Sequence, residues 1–291
     1  MLEGLLPAGR PSAREQQSRQ RLPYARHLSD HIVALDSGGM MCAYALAGAE
    51  FETADASSIQ RLHEGLAAAW RNLASEDLAV WLHAARLRID PPKEGSFSST
   101  YAKTLDVAWC DHLATEPLYR NRLYLSLVLK GDGLDPLWRR SPDLAGRASA
   151  QAARLETISR DLMSLLAPWS PSRLGVQKRD GVWFSQPMEM LALILVGRER
   201  ACPLTRGHLG EALSGSRLIF GPETLEVRHP DASLFAGILG LKAYPATTRP
   251  GLWDSLLAAP CALVISQSFA FLSRASGEAL MGRKQNQMLS A

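Results

Sequence analysis

Apolar residues along this chain come in short runs separated by glycine, proline and polar breaks, and their spacing switches between the strand and helix periods. His31–Asp36 and Met40–Leu46 are apolar runs joined by Ser37, Gly38 and Gly39. Glycine reaches the positive φ of a tight turn without a Cβ clash, so this pair predicts a β-hairpin. Ile59, Leu62, Leu66, Trp70 and Leu73 then recur at spacings of three and four, which predicts a helix with one apolar face. Asp55 or Ser57 stands where a side-chain oxygen caps the free amides of its first turn. Leu78–Ile89 predicts a strand closed by Pro91 and Pro92, and Thr100–Ala114 a helix.

Leu123, Leu125, Leu127 and Leu129 alternate with Tyr124, Ser126 and Val128. Successive strand residues point to opposite faces, so one face of this strand is fully apolar. Arg147–Leu166 predicts a helix lined by Leu155, Ile158, Leu162 and Leu165, and Pro168 stops it. Pro168–Ser172 is a turn cluster and a candidate internal boundary. Beyond it, Arg179–Gly181 marks a hairpin, and Pro187 opens a helix over Met188–Val196, where its missing N–H costs nothing. A second hairpin, Arg217–Phe220 and Glu223–Arg228, turns at Gly221 and Pro222. Strands follow at Leu234–Tyr244 and Ala262–Phe269, with a short helix near Leu252–Ala258 between them. Phe271–Ala291 reads as helix, without a glycine, proline or apolar element to close its end.

These elements predict an α+β fold of mixed, largely antiparallel sheets with packed helices. The expected organisation is a flexible arm over 1–21, an α/β subdomain over 22–167, a second α+β subdomain over 173–270 and the start of a truncated helical linker over 271–291.

Composition narrows the function classes. The chain is 46% apolar and 21% charged, a globular balance rather than a disordered one. A net charge of +3 is too small to argue for nucleic acid, although arginine outnumbers lysine by 26 to 6. Cysteines at 42, 110, 202 and 261 form no close pair of metal-binding spacing. Cys42 and Cys261 lie in apolar runs, where a thiol acts as a small hydrophobe. No apolar run approaches the roughly 20 residues of a membrane helix. Membrane contact is therefore expected to be peripheral or through a partner.

A phosphate loop needs GxxxxGK[ST] between strand and helix, so that amides wrap the phosphates and lysine meets them. No segment matches it; in Lys130–Gly133 the lysine precedes the glycines and Asp132 would repel phosphate. Apolar Leu263–Ile265 ends in Ser266 and Gln267, not in the carboxylates that hold Mg²⁺, and reads instead as a buried strand of a mixed sheet. His27 and His31 are four residues apart, but no HExxH accompanies them. Cys110 and His112 diverge on a helix, and no GxSxG elbow is present. Arg10, Arg14, Arg19, Arg21 and Arg26 form a sparse basic arm offset by Glu3, Glu15 and Asp30. It reads either as a contact for anionic lipid headgroups or as a solvated leader. Arg217, Arg228 and Arg249 sit near turn ends and, with Trp253, make a candidate interaction patch of the composition interfaces favour. Trp253 is equally compatible with a core position. No catalytic, cofactor-binding or metal-binding residue is assigned.

Several blocks, in order, carry a resemblance. They are LPYARHLSDHIVALD (Leu22–Asp36), GAEFETAD (Gly48–Asp55), SQPMEML (Ser185–Leu191), KAYPATTRPGLWD (Lys242–Asp254) and SQSFAF (Ser266–Phe271). Together they resemble the N-terminal and central portion of the CagE/TrbE/VirB family, the large ATPases of type IV secretion systems. The resemblance runs from about Leu22 to Ala291. It implies a docking and assembly module, cytoplasmic and peripheral to the bacterial inner membrane. It implies inner-membrane subunits as partners, self-association as a further candidate, and no direct nucleic-acid contact. In the family a RecA-like motor domain follows; it is expected to be missing from these residues, and ATP and Mg²⁺ are expected only with that domain. The alternative is an enzyme of unrecognised class, its site assembled from sequence-distant histidines and carboxylates such as His83 or Glu189.

Overall fold

A computed structural model describes residues 18–49, 53–91, 95–131, 144–241, 247 and 251–289. In chain order its elements are β1 (Tyr24–His27), β2 (Val33–Leu35), β3 (Met40–Leu46), α1 (Ala56–Leu73), β4 (Leu78–Ile89), α2 (Thr100–Ala114), β5 (Leu118–Leu129) and α3 (Leu144–Leu165). Then come β6 (Pro171–Arg173), β7 (Val176–Arg179), β8 (Val182–Ser185), α4 (Gln186–Val196) and α5 (Leu209–Leu213). The last are β9 (Arg217–Phe220), β10 (Leu225–Arg228), β11 (Ser233–Ala236), α6 (Asp254–Leu257), β12 (Leu263–Ala270) and α7 (Arg274–Leu289). Of the arm expected over 1–21, residues 1–17 lie outside the described residues, and Ser18–Arg21 form a short 3-10 helix.

The main sheet has seven strands in the order β1-β2-β3-β5-β4-β12, with β6 pairing β3 off that path. Every strand pair among the described residues is antiparallel, in keeping with the expected α+β class. Segments on both sides of the Pro168–Ser172 turn enter this one sheet, through β6 and β12.

Alternation places the core. On one face Met40, Cys42, Tyr44, Leu78, Val80, Leu125, Leu127 and Leu129 meet Leu155 and Leu162 of α3 and Leu66, Trp70 and Leu73 of α1. On the other, Val33, Met41, Ala43, Ala85, Leu87 and Tyr124 meet α4 and α5. The sheet is therefore covered on both sides, and burial of this kind contributes about 25 cal/mol per Å² of apolar surface. Several polar groups inside it are paired, although Ser126 Oγ of β5 is buried without a partner. Tyr44 donates to Ser159 Oγ at 2.7 Å and lies 3.1 Å from the Cys42 sulfur. Burial pushes the Cys42 thiol up to about 11, so it stays a neutral small hydrophobe. Arg173 of β6 grips Glu156 of α3, with one arm of the fork at 2.7 Å.

Local signals set the helix ends. Asp55 caps α1 through Ser58 N at 2.6 Å. Ser185 caps α4 through Met188 N, Pro187 sits in its first turn, and Gly197 ends it at φ +69°. That left-handed conformation costs glycine nothing. By contrast α2 buries none of its residues and exposes Tyr101, Leu105 and Trp109 along one stripe.

Four details differ from expectation. β5 starts at Leu118, not Leu123, because it pairs with β4 along the full length of both strands. The strand expected over Leu234–Tyr244 ends at Ala236, where β10 has no further residue to pair with it; residues 242–246 lie outside the described ones. β12 is the outermost strand next to β4, half-buried to exposed, rather than a buried strand of a mixed sheet. Cys261 precedes β12 in an exposed turn and so does not act as a core hydrophobe.

Candidate docking surface

Burial stops abruptly along the chain. His229 is the last buried position, and no described residue beyond it is buried. Several apolar side chains there stay in solvent: Phe235 is 75% exposed, Ile238 73% and Leu239 98%. Leu252, Leu256, Leu272 and Met281 are also exposed.

The second sheet, in the order β11-β10-β9, organises part of this surface. Its register sets Leu218 and Leu234 beside Val227, and Phe220 and Ala236 beside Leu225. Directly opposed residues share a face, so these six form an apolar face. Its inner end is anchored at buried Val227, while Phe220 at the outer end is 71% exposed. The other face carries Arg217, Arg228 and Ser233 in one row and Ile219, Glu226 and Phe235 in the next. Glu226 holds Arg228 through two bonds, 2.9 and 3.0 Å, and accepts from Ser233 at 2.9 Å. Arg228, first, and then Ser233 hold the Glu226 carboxyl below its ordinary range.

The structure thus brings together two of the four residues singled out from sequence. Arg217 and Arg228 are direct cross-strand neighbours. Trp253 stands on another element, at the N-cap of α6, and is 37% exposed, so it is not a core residue. Arg249 lies outside the described residues. The aromatic residue beside the arginines is Phe235, which sequence reading missed. Its signal was strand parity, since Phe235 falls two residues after Ser233, the partner of Arg228.

The remaining candidates have structural employment. Lys130 and Gly131 follow β5, and a Cβ on Gly131 would stand 2.5 Å from the Ser37 carbonyl oxygen. That glycine lets two turns cross; Asp132 and Gly133 lie outside the described residues. Ser266 bonds His83 Nδ1 at 2.8 Å across β4 and β12. His83 is buried, stacks on Trp81, and burial lowers its pKa to about 4. His27 bonds Ser185 at 2.8 Å and His31 the Leu174 carbonyl at 3.1 Å, so the two do not converge on one site. Glu189 takes both arms of Arg179 at 2.8 and 2.7 Å. It lines a cleft of about 500 Å³ with Arg122, Tyr124, Glu199 and Arg200; His83 is not among its lining residues. Arg122 there pairs with Glu199 at 2.6 Å. Arg179–Glu189 thus ties β7 to α4, and Arg122–Glu199 ties β5 to the segment after α4.

Two family descriptions match the chain. Residues 31–134 match the type IV secretion system ATPase VirB4/TrbE N-terminal domain. Residues 172–291 match the CagE, TrbE, VirB family, a component of the type IV transporter system. The chain is 36% identical over 287 residues to the type IV secretion system protein virB4 of Bartonella henselae, covering 96% of itself and 37% of that relative. It is 31% identical over 289 residues to the protein virB4 of Agrobacterium fabrum, covering 97% of itself and 37% of the relative. Against the type IV secretion system protein PtlC of Bordetella pertussis the identity is 23% over 278 residues, covering 92% and 34%. The chain thus spans a little over a third of the length of the curated relatives it matches.

Proposed function

The chain belongs to the VirB4/TrbE family of type IV secretion ATPases, corresponding to its N-terminal and central part, and from this we propose that it is a docking and assembly module of such a system. Its partners are inner-membrane subunits of the secretion apparatus, and it works on the cytoplasmic side, peripheral to that membrane. ATP and Mg²⁺ belong to a motor domain of the full-length relatives and not to the residues of this chain.

The observation that carries this reading is the run of exposed apolar side chains over 217–289, above all Phe220, Phe235, Ile238 and Leu239. Large exposed apolar side chains such as these, displayed on both faces of the β9–β11 sheet, are the kind of surface that marks an interaction site. The paired arginines beside Phe235 add the arginine-plus-aromatic composition that concentrates binding energy. No described helix is long and apolar enough to cross a membrane, which is consistent with attachment through partners.

Two measurements test the reading. Calorimetric titration of the purified chain with MgATP should give no binding heat; stoichiometric micromolar binding would overturn the assignment of nucleotide to the motor domain. The double substitution Phe235→Asp and Leu239→Asp should weaken binding to purified inner-membrane subunits by at least about tenfold while leaving the melting curve unchanged. Unchanged affinity in that variant would remove this surface from the docking role.

A further inference from the structure

We infer that the turn Ser75–Asp77 is a two-sided clamp that sets the direction in which α7 leaves the packed body, with the Glu76 carboxylate as its detachable half.

The start of α7 is an incomplete cap. Ser273 is its N-cap, and the Ser273 hydroxyl accepts from Ser276 N at 3.2 Å. In a self-contained capping box, a Glu or Gln three residues on reaches back to the backbone N–H of the cap residue. Here that position is Ser276, whose side chain is too short to do so. Glu76 supplies the missing acceptor from the turn before β4. Its Oε1 takes Ser273 N at 2.8 Å and Ser276 Oγ at 2.7 Å. The box is thus completed between two elements far apart in the chain.

The other side of the turn is fixed. Asp77 accepts both arms of Arg154 on α3, one of them at 3.0 Å, and also the Ser75 hydroxyl. Lys130 after β5 donates to the Glu76 carbonyl at 2.8 Å. Upstream of α7, Phe271 is partly buried in the α1–α3 core and meets Phe269 edge-on at 5.9 Å. From Arg274 on, no described residue of α7 is buried, and Leu280 and Met281 are exposed. The core therefore holds the chain up to Phe271, and Glu76 holds the first turn of the helix beyond it. With the latch closed α7 is rigid with the sheet; with it open α7 pivots about Leu272 and Ser273.

Ser273 and then Ser276 hold the Glu76 carboxyl down to about 2. The charged groups around the latch are Lys130, Asp77 and Arg154 on the body side and Arg274 and Glu278 on α7. The latch thus stays closed through mild acid.

Pulse-labelled amide hydrogen exchange on the full chain tests the clamp. In Glu76→Ala, amides in the first two turns of α7 should exchange several-fold faster, with Glu76→Gln in between, while β3–β5 and α3 keep their protection. In Asp77→Ala the loss should move to α3 around Arg154 and spare α7. Unchanged α7 exchange in Glu76→Ala overturns the inference. So does a loss of protection shared equally by α3 and β4, or an Asp77→Ala variant that frees α7 as much as Glu76→Ala does.

Discussion

Residues 18–216 contain all but two of the described buried positions, whereas 217–289 leave most of their apolar side chains in or near solvent, with Val227 buried and Phe269 and Phe271 packed on the core. Leu125, Leu127 and Leu129 are all but inaccessible in the first region, while Phe235 and Leu239 of the second are largely in solvent. Both regions have strand periodicity and apolar residues in similar density. The difference is cover: β3–β5 have helices on both faces, while β9–β11 are three short strands anchored at one end through Val227. The same apolar pattern therefore acts as fold stability in one place and as unsatisfied surface in the other. It follows that substitutions of one chemical kind should have opposite readouts in the two regions.

The largest contrast comes from truncating core leucine. Leu127→Ala should lower unfolding free energy by about 2–5 kcal/mol, read as a shift in urea midpoint at constant slope. Next in size is the titration of His83. Burial lowers its pKa from 6.5 to about 4, so between those values the unfolded chain binds the extra proton. Stability should thus be complete above pH 6.5, fall as the pH drops toward 4, and level off below, by no more than about 3 kcal/mol. Denaturant midpoints across that range should lose this slope in His83→Gln. A smaller effect belongs to Ser185, which caps α4 and meets His27 at 2.8 Å; Ser185→Ala should cost about 1–2 kcal/mol. At the far end, Leu239→Ala should stay within about 0.5 kcal/mol of the parent while weakening association with secretion-system subunits. A core-sized stability loss at Leu239 would erase the contrast between the regions.

Much of the fold was legible because local rules and burial agreed. The Ser37–Gly39 hairpin, the α1 face with its Asp55 cap and the Pro187 start of α4 all stand where spacing put them. What sequence left open was partnership. Nothing in Leu118–Asn121 distinguishes a strand until β4 is seen lying beside it. The apolar Leu234–Leu241 run looked like a longer strand because spacing records what a segment can pair with, not how far its neighbour extends. At the surface, Arg217 and Arg228 were found from their turn-end positions, but Phe235 needed the register. Trp253 was grouped with them by composition, and the structure puts it on a different element.

The pairing of β12 with β4 carries a consequence for how the chain folds. β4 and β5 close over a short segment, and β3 joins them over a moderate one, but β12 must return from far down the chain to zip onto β4 through eight residue pairs. Closing so long a loop is entropically slow, and non-local strand pairing delays folding. During synthesis the free side of β4 therefore waits, unpaired, until the segment through Ala270 has left the ribosome. Of the described strands of this sheet, the one made last is the one that covers the edge of β4, and until then that edge is exposed to pairing with a neighbouring chain.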